Sequence, residues 1–467
     1  MLFSSTVFLF VFLPFVVSIY FLLDRKFRNP FLLISSLLFY AWGEPKFVFI
    51  MIGSIILNYF FALLISLCNK KCRVKKLILF VMVICNISLF FVFKYMGFTV
   101  RNINAITGLN ILIPEIALPI GISFFTFQGM SYVIDVYRGS KVQKNPLNVG
   151  LYIALFPQLI AGPIVRYDTI ADQIDNRTET WEKFTIGTER FVIGLGKKVL
   201  FSNALAIVAD RGFNNLYKDD TTVILLWFSA IAYMLQIYFD FSGYSDMAIG
   251  LGKIFGFEFD ENFNYPYMAK SIKDFWRRWH ISLSTWFRDY VYIPLGGSRV
   301  GFGRNILNLF IVWTLTGVWH GASWNFIFWG WFYFILLVIE KITQIPDRLR
   351  QWYLKTGYRI LTLLLVLIGW VLFRAENLSA AVVFLKKMFG LSGCLFIDSK
   401  SVYIIKSNIV LMSAAVVGCI SWNGIAAKVE KKHIVPFFKY IFLLGVLLLS
   451  IASLVTSSYN PFIYFNF

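Results

Sequence analysis

Three histidines occur in the 467-residue chain, and two of them stand where an imidazole could do chemistry. His320 lies in Trp319-His320-Gly321, between apolar runs at 305–319 and 322–339. An ionisable group at membrane depth is costly and by default marks function. A neutral imidazole in such a place suits a general base at pH 7. The plainer alternative is a packing histidine whose ring nitrogens bond nearby carbonyls. Gly321 and Ala322, however, leave room for a ligand, with Trp319 and Trp324 as walls. His280 ends the densest charged-aromatic stretch, Lys273-Asp274-Phe275-Trp276-Arg277-Arg278-Trp279-His280. It reads as a second catalytic group or organiser of a donor site, or else as an interfacial residue among lipid anchors. The third, His433, sits in a Lys-rich loop and needs no special account.

Other groups are candidates around these two. Arg277, Arg278 and Arg288 offer guanidinium forks to the phosphates of a nucleotide-type donor, or equally to lipid headgroups. Trp279, Trp286, Trp319 and Trp324 are candidate tunnel walls. Asp240 and Asp246 follow an apolar run in Phe239-Asp240-Phe241-Ser242-Gly243-Tyr244-Ser245-Asp246. Gln236 and Asp240 are four apart and share a helix face. Two roles are open to these acids: hydrogen bonding where a helix breaks at Gly243, or lining the His320 cavity and orienting an imidazole as triad carboxylates do. No P-loop, dinucleotide fingerprint or Gly-x-Ser-x-Gly elbow is present. Cys68, Cys72, Cys85, Cys394 and Cys419 lack zinc-type spacing, so neither a metal site nor a disulfide framework is expected.

The elements that must hold these residues are apolar. Hydrophobic residues make up 58% of the chain, only 15% is charged, and the mean hydropathy is +0.69. Soluble domains carry about a quarter charged residues. Long continuous apolar runs, rather than ten-residue alternation, point to helices and not a barrel. Helix candidates are 2–23, 31–42, 47–67, 77–95, 116–136, 149–164, 184–208, 223–241, 306–319, 324–339, 360–373, 409–422 and 437–455. A full span needs about 20 residues, so 31–42, 149–164 and 306–319 read as broken or re-entrant. The segment Phe156-Pro157-Gln158-Leu159-Ile160-Ala161-Gly162-Pro163, with two prolines and a glycine, fits irregular backbone lining a cavity. The first run, 2–23, reads as a retained span rather than a cleaved signal. Residues 251–304 are too polar to span and too aromatic for an ordinary loop. They are expected on the cytoplasmic face, with one or two interfacial helices over 271–292.

Net charge is +19, and basic residues gather in short loops: Arg25-Lys26 with Arg28, Lys70-Lys71 to Lys75-Lys76, Lys197-Lys198, and 428–432. The positive-inside rule accounts for them and places both termini outside. Nucleic-acid binding would need a basic face on a soluble domain, and none is evident. Basic residues flank the His320 runs on both sides (Arg299 and Arg304 before, Lys341, Arg348 and Arg350 after). The chain is therefore expected to enter near Asn305, turn at His320-Gly321 and return. Fourteen or fifteen helical residues cover about 21–23 Å, which sets His320 deep in the bilayer.

Together these stretches resemble the membrane-bound O-acyltransferase family. The resemblance rests on FDFSGYSDMAIGLGKIFGFEFDENFNYPY at 239–267, DFWRRWHISLSTWFRDYVYIPLGG at 274–297 and LTGVWHGASWNFIFWG at 315–330. SFFTFQGMSYVIDVYRG at 123–139 and FPQLIAGPIVRY at 156–167 add to it. YIPLGGSR at 292–299 and PFIYFNF at 461–467 are most similar to the bacterial subgroup that serves alginate-type polysaccharide acetylation. The resemblance implies one all-α membrane domain over 1–467, with about eleven transmembrane helices plus re-entrant and interfacial ones around a central tunnel. It implies His320 as the catalytic histidine and His280 as the second histidine, on the cytoplasmic side. It also implies acyl transfer from a cytoplasmic thioester, acetyl-CoA, with no bound cofactor, to an outside hydroxyl. An extracytoplasmic SGNH-like acetyltransferase would be the partner, in a bacterial inner membrane. D-alanyl transfer to teichoic acid is the runner-up. A polysaccharide or lipid transporter and a non-catalytic scaffold remain the rival classes.

Overall fold

The computed structural model describes residues 1–68, 73–160, 162–218, 221–421, 435–456 and 459–463. Lys70-Lys71, Cys72, Ala161, Trp422, the basic stretch 428–432, His433 and residues 464–467 lie outside the described residues. Among the described residues there are helices and no strand. Eight helices are long and apolar enough to cross a membrane: Val48–Leu67, Arg73–Lys94, Trp181–Phe213, Val223–Ile254, Trp324–Arg348, Trp352–Arg374, Ser399–Gly418 and Phe437–Thr456. A shorter apolar helix covers Phe8–Leu22. By this criterion of length and apolarity, the expected count of about eleven is not reached among the described residues.

The chain forms two compact units. The first contains Met1–Phe191 and Ser245–Asp260, the second Val192–Tyr244 and Glu261–Phe467. In the first unit, Asn58 and Asn86 exchange amide hydrogen bonds of 3.2 and 3.1 Å between the Val48–Leu67 and Arg73–Lys94 helices. Such side-chain bonds join helices where apolar burial alone gives no preference for helix over lipid. Gly129 lets a third helix approach the same point, since a Cβ there would meet Asn58 Nδ2 at 2.6 Å. The expected broken segment is indeed broken: Pro146–Ala154 ends at Leu155, and one turn, Phe156–Leu159, follows.

Two expectations are corrected in the long helices Trp181–Phe213 and Val223–Ile254. Lys197-Lys198, expected by its charge in a short loop, lies inside a continuous helix, as the 184–208 candidate implies. Trp181–Gly196 passes through a π-helical turn, Lys197–Ser202, into Asn203–Phe213. The helix expected to break at Gly243 instead runs unbroken over Val223–Ile254. Gly243 serves close packing, not a break: a Cβ there would meet Gly194 O at 2.8 Å and Lys198 N at 3.0 Å. Polar residues in a long helix looked like its end because hydropathy registers them as exposed, whereas here Asp240 and Asp246 are ion-paired and the residues between them are buried.

The second unit holds both candidate histidines. Phe302–His320 and Trp324–Thr343 form a helical hairpin joined by three residues. The first helix has 19 residues, about 28 Å at 1.5 Å per residue, longer than its apolar run because it starts at Phe302. The pair packs through glycines: a Cβ on Gly317 would lie 2.4 Å from Phe326 O, and one on Gly330 2.4 Å from Trp313 O. The expected helices within 271–292 are Ile272–Arg278 and Ile281–Phe287, followed by a π-helical turn, Arg288–Tyr292. An aromatic core fills the unit, with Trp329, Trp370 and Tyr333 fully buried.

Candidate active site

His320 is the last residue of its helix and only 6% exposed. Three rings meet it edge to face: Trp319 at 4.9 Å, Trp329 at 5.0 Å and Phe373 at 5.1 Å between centroids. Such T-shaped contacts fix ring orientation through the quadrupole as well as by packing. Trp319 also lies 6.0 Å from His280, so one indole touches both imidazoles. The Trp329 and Phe373 contacts were not anticipated. Trp329 stands in the same sequence block, whereas Phe373 arrives from the Trp352–Arg374 helix with no sequence signal.

His280 links the two short helices with φ +45°, a left-handed conformation uncommon outside glycine, although histidine tolerates it better than most. A buried residue in this region persists only where its surroundings over-determine it. The 262–264 segment does so. Asn262 O accepts from Ile281 N at 2.9 Å, and Asn264 N donates to Arg278 O at 2.9 Å. Asn262 Oδ1 accepts from Ser282 N at 3.1 Å and from Ser282 Oγ at 2.9 Å, and lies 3.2 Å from His280 Nδ1. An atom that accepts a backbone N–H is the amide oxygen, so Nδ1 must donate and the lone pair belongs to Nε2. Burial pushes the His280 pKa down to about 3, so the ring is neutral at physiological pH. Asn262 is a positioning residue that the sequence reading did not single out, although it lies within the 239–267 block.

Two cavities border the hairpin tip. The smaller, about 230 Å³, is lined by His320 and His280 with Trp276, Trp279, Trp313 and Thr316, and by Lys273, Arg277 and Arg288. The larger, about 640 Å³, begins at the next residue: Gly321, Ala322 and Ser323 line it with Gln236, Arg374 and Tyr459. In its wall Arg374 bonds Asp210 at 2.7 Å, and Tyr459 Oη donates to Asp210 at 2.6 Å. Gln236 Oε1 and the Tyr233 hydroxyl, both on this cavity, are buried with no hydrogen-bond partner among the described residues.

The other expected residues divide. Arg277, Arg288 and Trp279 border the smaller cavity with the two histidines. Arg288 also holds Asp289, by Nε at 2.7 Å and Nη2 at 3.1 Å. Arg278 turns to Asp274 at 3.0 Å, and Trp286 is buried against Phe287 and Tyr290; neither lines either of these two cavities. Trp324 is half exposed and lines neither cavity. Asp240 is fully buried against Lys198 at 2.5 Å. Asp246 falls in the first unit and pairs with Arg190 at 2.9 Å. The imidazole-orienting role considered for these acids is filled, for His280, by Asn262. Glu340, a further unanticipated residue, accepts from the first turn of Ile272–Arg278: Ile272 N at 2.7 Å and Lys273 N at 2.9 Å. It also accepts from Tyr358 Oη at 2.8 Å. A carboxylate at a helix start satisfies orphan N–H groups and opposes the dipole.

Residues 77–346 match the family described as MBOAT, membrane-bound O-acyltransferase. The chain belongs to the membrane-bound O-acyltransferase family. It is 45% identical over 386 residues to the probable alginate O-acetylase AlgI of Pseudomonas syringae, covering 82% of this chain and 74% of that protein. It is 37% identical to the peptidoglycan O-acetyltransferase of Helicobacter pylori, covering 84% and 80%. Likeness to the teichoic acid D-alanyltransferase of Bacillus subtilis is weaker, at 29% identity over 50% of this chain and 61% of that one. The protein is thus a multi-pass membrane acyltransferase, and both histidines fall within the matched range.

Proposed function

We propose that this acyltransferase moves an acetyl group from a thioester to a hydroxyl for O-acetylation of a cell-surface or exported polysaccharide. One observation carries the mechanism: His320 and Gly321, adjacent in the chain, border different cavities. A donor in one and an acceptor in the other meet at a single imidazole. The smaller cavity suits the donor. Its cationic rim of Lys273, Arg277 and Arg288 suits the phosphates of acetyl-CoA, and its aromatic interior suits the thioester arm. The larger cavity, with hydrogen-bonding groups in its wall, suits the acceptor.

His320 takes the acceptor hydroxyl proton as the oxygen bonds to the thioester carbonyl carbon. The C–S bond then breaks, and the imidazolium returns the proton to the leaving thiolate. His280, neutral and with its lone pair on Nε2, accepts a hydrogen bond on the donor side rather than supplying a proton. Aromatic walls keep water from the thioester. The acetyl group passes to an extracytoplasmic SGNH-like acetyltransferase, which completes transfer to the polymer. The basic stretches support a bacterial inner-membrane setting with the donor side and the 251–304 segment at the cytoplasm and both termini outside. The names of the alginate and peptidoglycan relatives support acetyl over D-alanyl.

The test is His320→Ala. Cell-surface acetyl content, with protein level controlled, is expected to fall to background. Retained acetylation would sink the assignment of His320 as the base.

A further inference from the structure

The most deeply buried ion pair described in the second unit is not used by the chemistry above. Lys198 and Asp240, 2% and 0% exposed, lie 2.5 Å apart. A buried ion pair is weak evidence of stabilisation, because desolvation offsets its Coulomb energy. What distinguishes this one is where its remaining hydrogen-bonding capacity goes. Lys198 Nζ donates to Pro461 O, and Asp240 Oδ2 accepts from Ile463 N at 3.0 Å. Asp240 Oδ1 also accepts from Ser202 Oγ at 3.2 Å, which holds the carboxylate against the π-helical turn. Such turns recur at functional sites.

The bonded segment has no regular helix of its own beyond one 3-10 residue. It is nonetheless tied down along its length. Tyr459 bonds Asp210, Asn460 Oδ1 accepts from Asn203 Nδ2 at 3.2 Å, and the Phe462 ring packs 5.3 Å from Tyr244. Every residue from Tyr459 to Ile463 lines the larger cavity, in common with Gly321-Ala322-Ser323 after His320.

We propose that the Lys198–Asp240 pair is a positioning device that docks residues 459–463 as one wall of the larger cavity, so that this segment sets which hydroxyl acceptors reach the hairpin tip. The inference rests on the reading of that cavity as the acceptor site. Lys198 and Asp240 touch no substrate; they act through the segment they hold.

The test uses the full chain purified in detergent, with Lys198→Met and Asp240→Leu combined. An apolar pair of similar volume is commonly tolerated in place of a buried ion pair. Docking is read without turnover: Ile463→Cys, in a background with the five native cysteines replaced, is labelled with a charged maleimide. Slow labelling is expected with the pair present and fast labelling in the double variant; equal rates overturn the latch. Kinetics use acetyl-CoA with two hydroxyl acceptors of different size, a serine peptide standing in for the partner acetyltransferase and an alginate oligosaccharide. Acceptor KM is expected to rise on the order of 10- to 100-fold, with an altered ratio between the two acceptors and unchanged thioester KM. Fast labelling with unchanged acceptor KM and ratio overturns the proposal. A rise in thioester KM alone instead faults the acceptor assignment of the cavity. Lys198→Arg with Asp240→Glu retains the charges and should restore slow labelling.

Discussion

His280 Nδ1 donates to Asn262 Oδ1 across 3.2 Å, and the same oxygen accepts from Ser282 N and Oγ. This shared acceptor links the tautomer of one histidine to the turn that carries it. A left-handed residue, a buried amide and a helix start are held by one atom. It also makes His280 a poor proton donor: its Nδ1 hydrogen is engaged, and its burial opposes a second proton.

That burial predicts an acid sensitivity. The folded-state pKa of about 3 lies below the ordinary value of 6.5. Between these values the unfolded chain binds a proton that the folded chain does not, so stability rises with pH there. The contribution is fully present above about pH 6.5 and is lost as pH falls toward 3. Thermal unfolding in detergent at pH 7 and pH 4.5 should therefore show a larger drop for the wild type than for His280→Gln. Equal drops would show that the ring is not held neutral.

Arg277 and Arg278 are neighbours with different expected effects. Arg277 borders the cavity shared by the histidines, whereas Arg278 is engaged by Asp274 at 3.0 Å and donates to Asn264 O at 3.3 Å. A charge-assisted hydrogen bond contributes about 1.5–3 kcal/mol, so Arg277→Ala should raise the acetyl-CoA KM about 10- to 100-fold. Arg278→Ala should leave that KM within a few-fold and lower stability modestly. Steady-state kinetics on both variants decide it; an inverted order would remove Arg277 from the donor site.

The hairpin that ends in His320 closes on two glycines. A Cβ at Gly317 or Gly330 would meet backbone oxygen at 2.4 Å, and the opposing backbone cannot rotate away as a side chain does. Gly317→Ala and Gly330→Ala should each cost about 1–3 kcal/mol through overpacking. Both should lower the melting temperature in detergent. Gly357→Ala, in a neighbouring helix with open space at its Cβ, is the control and should not. Unchanged melting of the hairpin variants would refute the close packing.

Much of this molecule is written locally. Apolar runs, their lengths and the scarcity of charge determine a helical membrane protein, because the bilayer demands internally satisfied backbone. The histidine-bearing blocks determine the family, and the basic residues on both flanks of the two apolar runs point to a hairpin at His320-Gly321. What the sequence misjudged were polar residues within helices. Lys197-Lys198 looked like a loop and Gly243 like a break, because hydropathy cannot see a partner far along the chain. Only the tertiary structure pairs Lys198 with Asp240, gives His280 to Asn262, and brings Phe373 against His320. It alone separates Arg277 from Arg278 and Trp279 from Trp324, and divides the space around the hairpin tip into two cavities. The reason is physical. Helix formation and membrane burial depend on neighbours within a few turns, whereas a site depends on side chains from several helices, brought together only when the core packs.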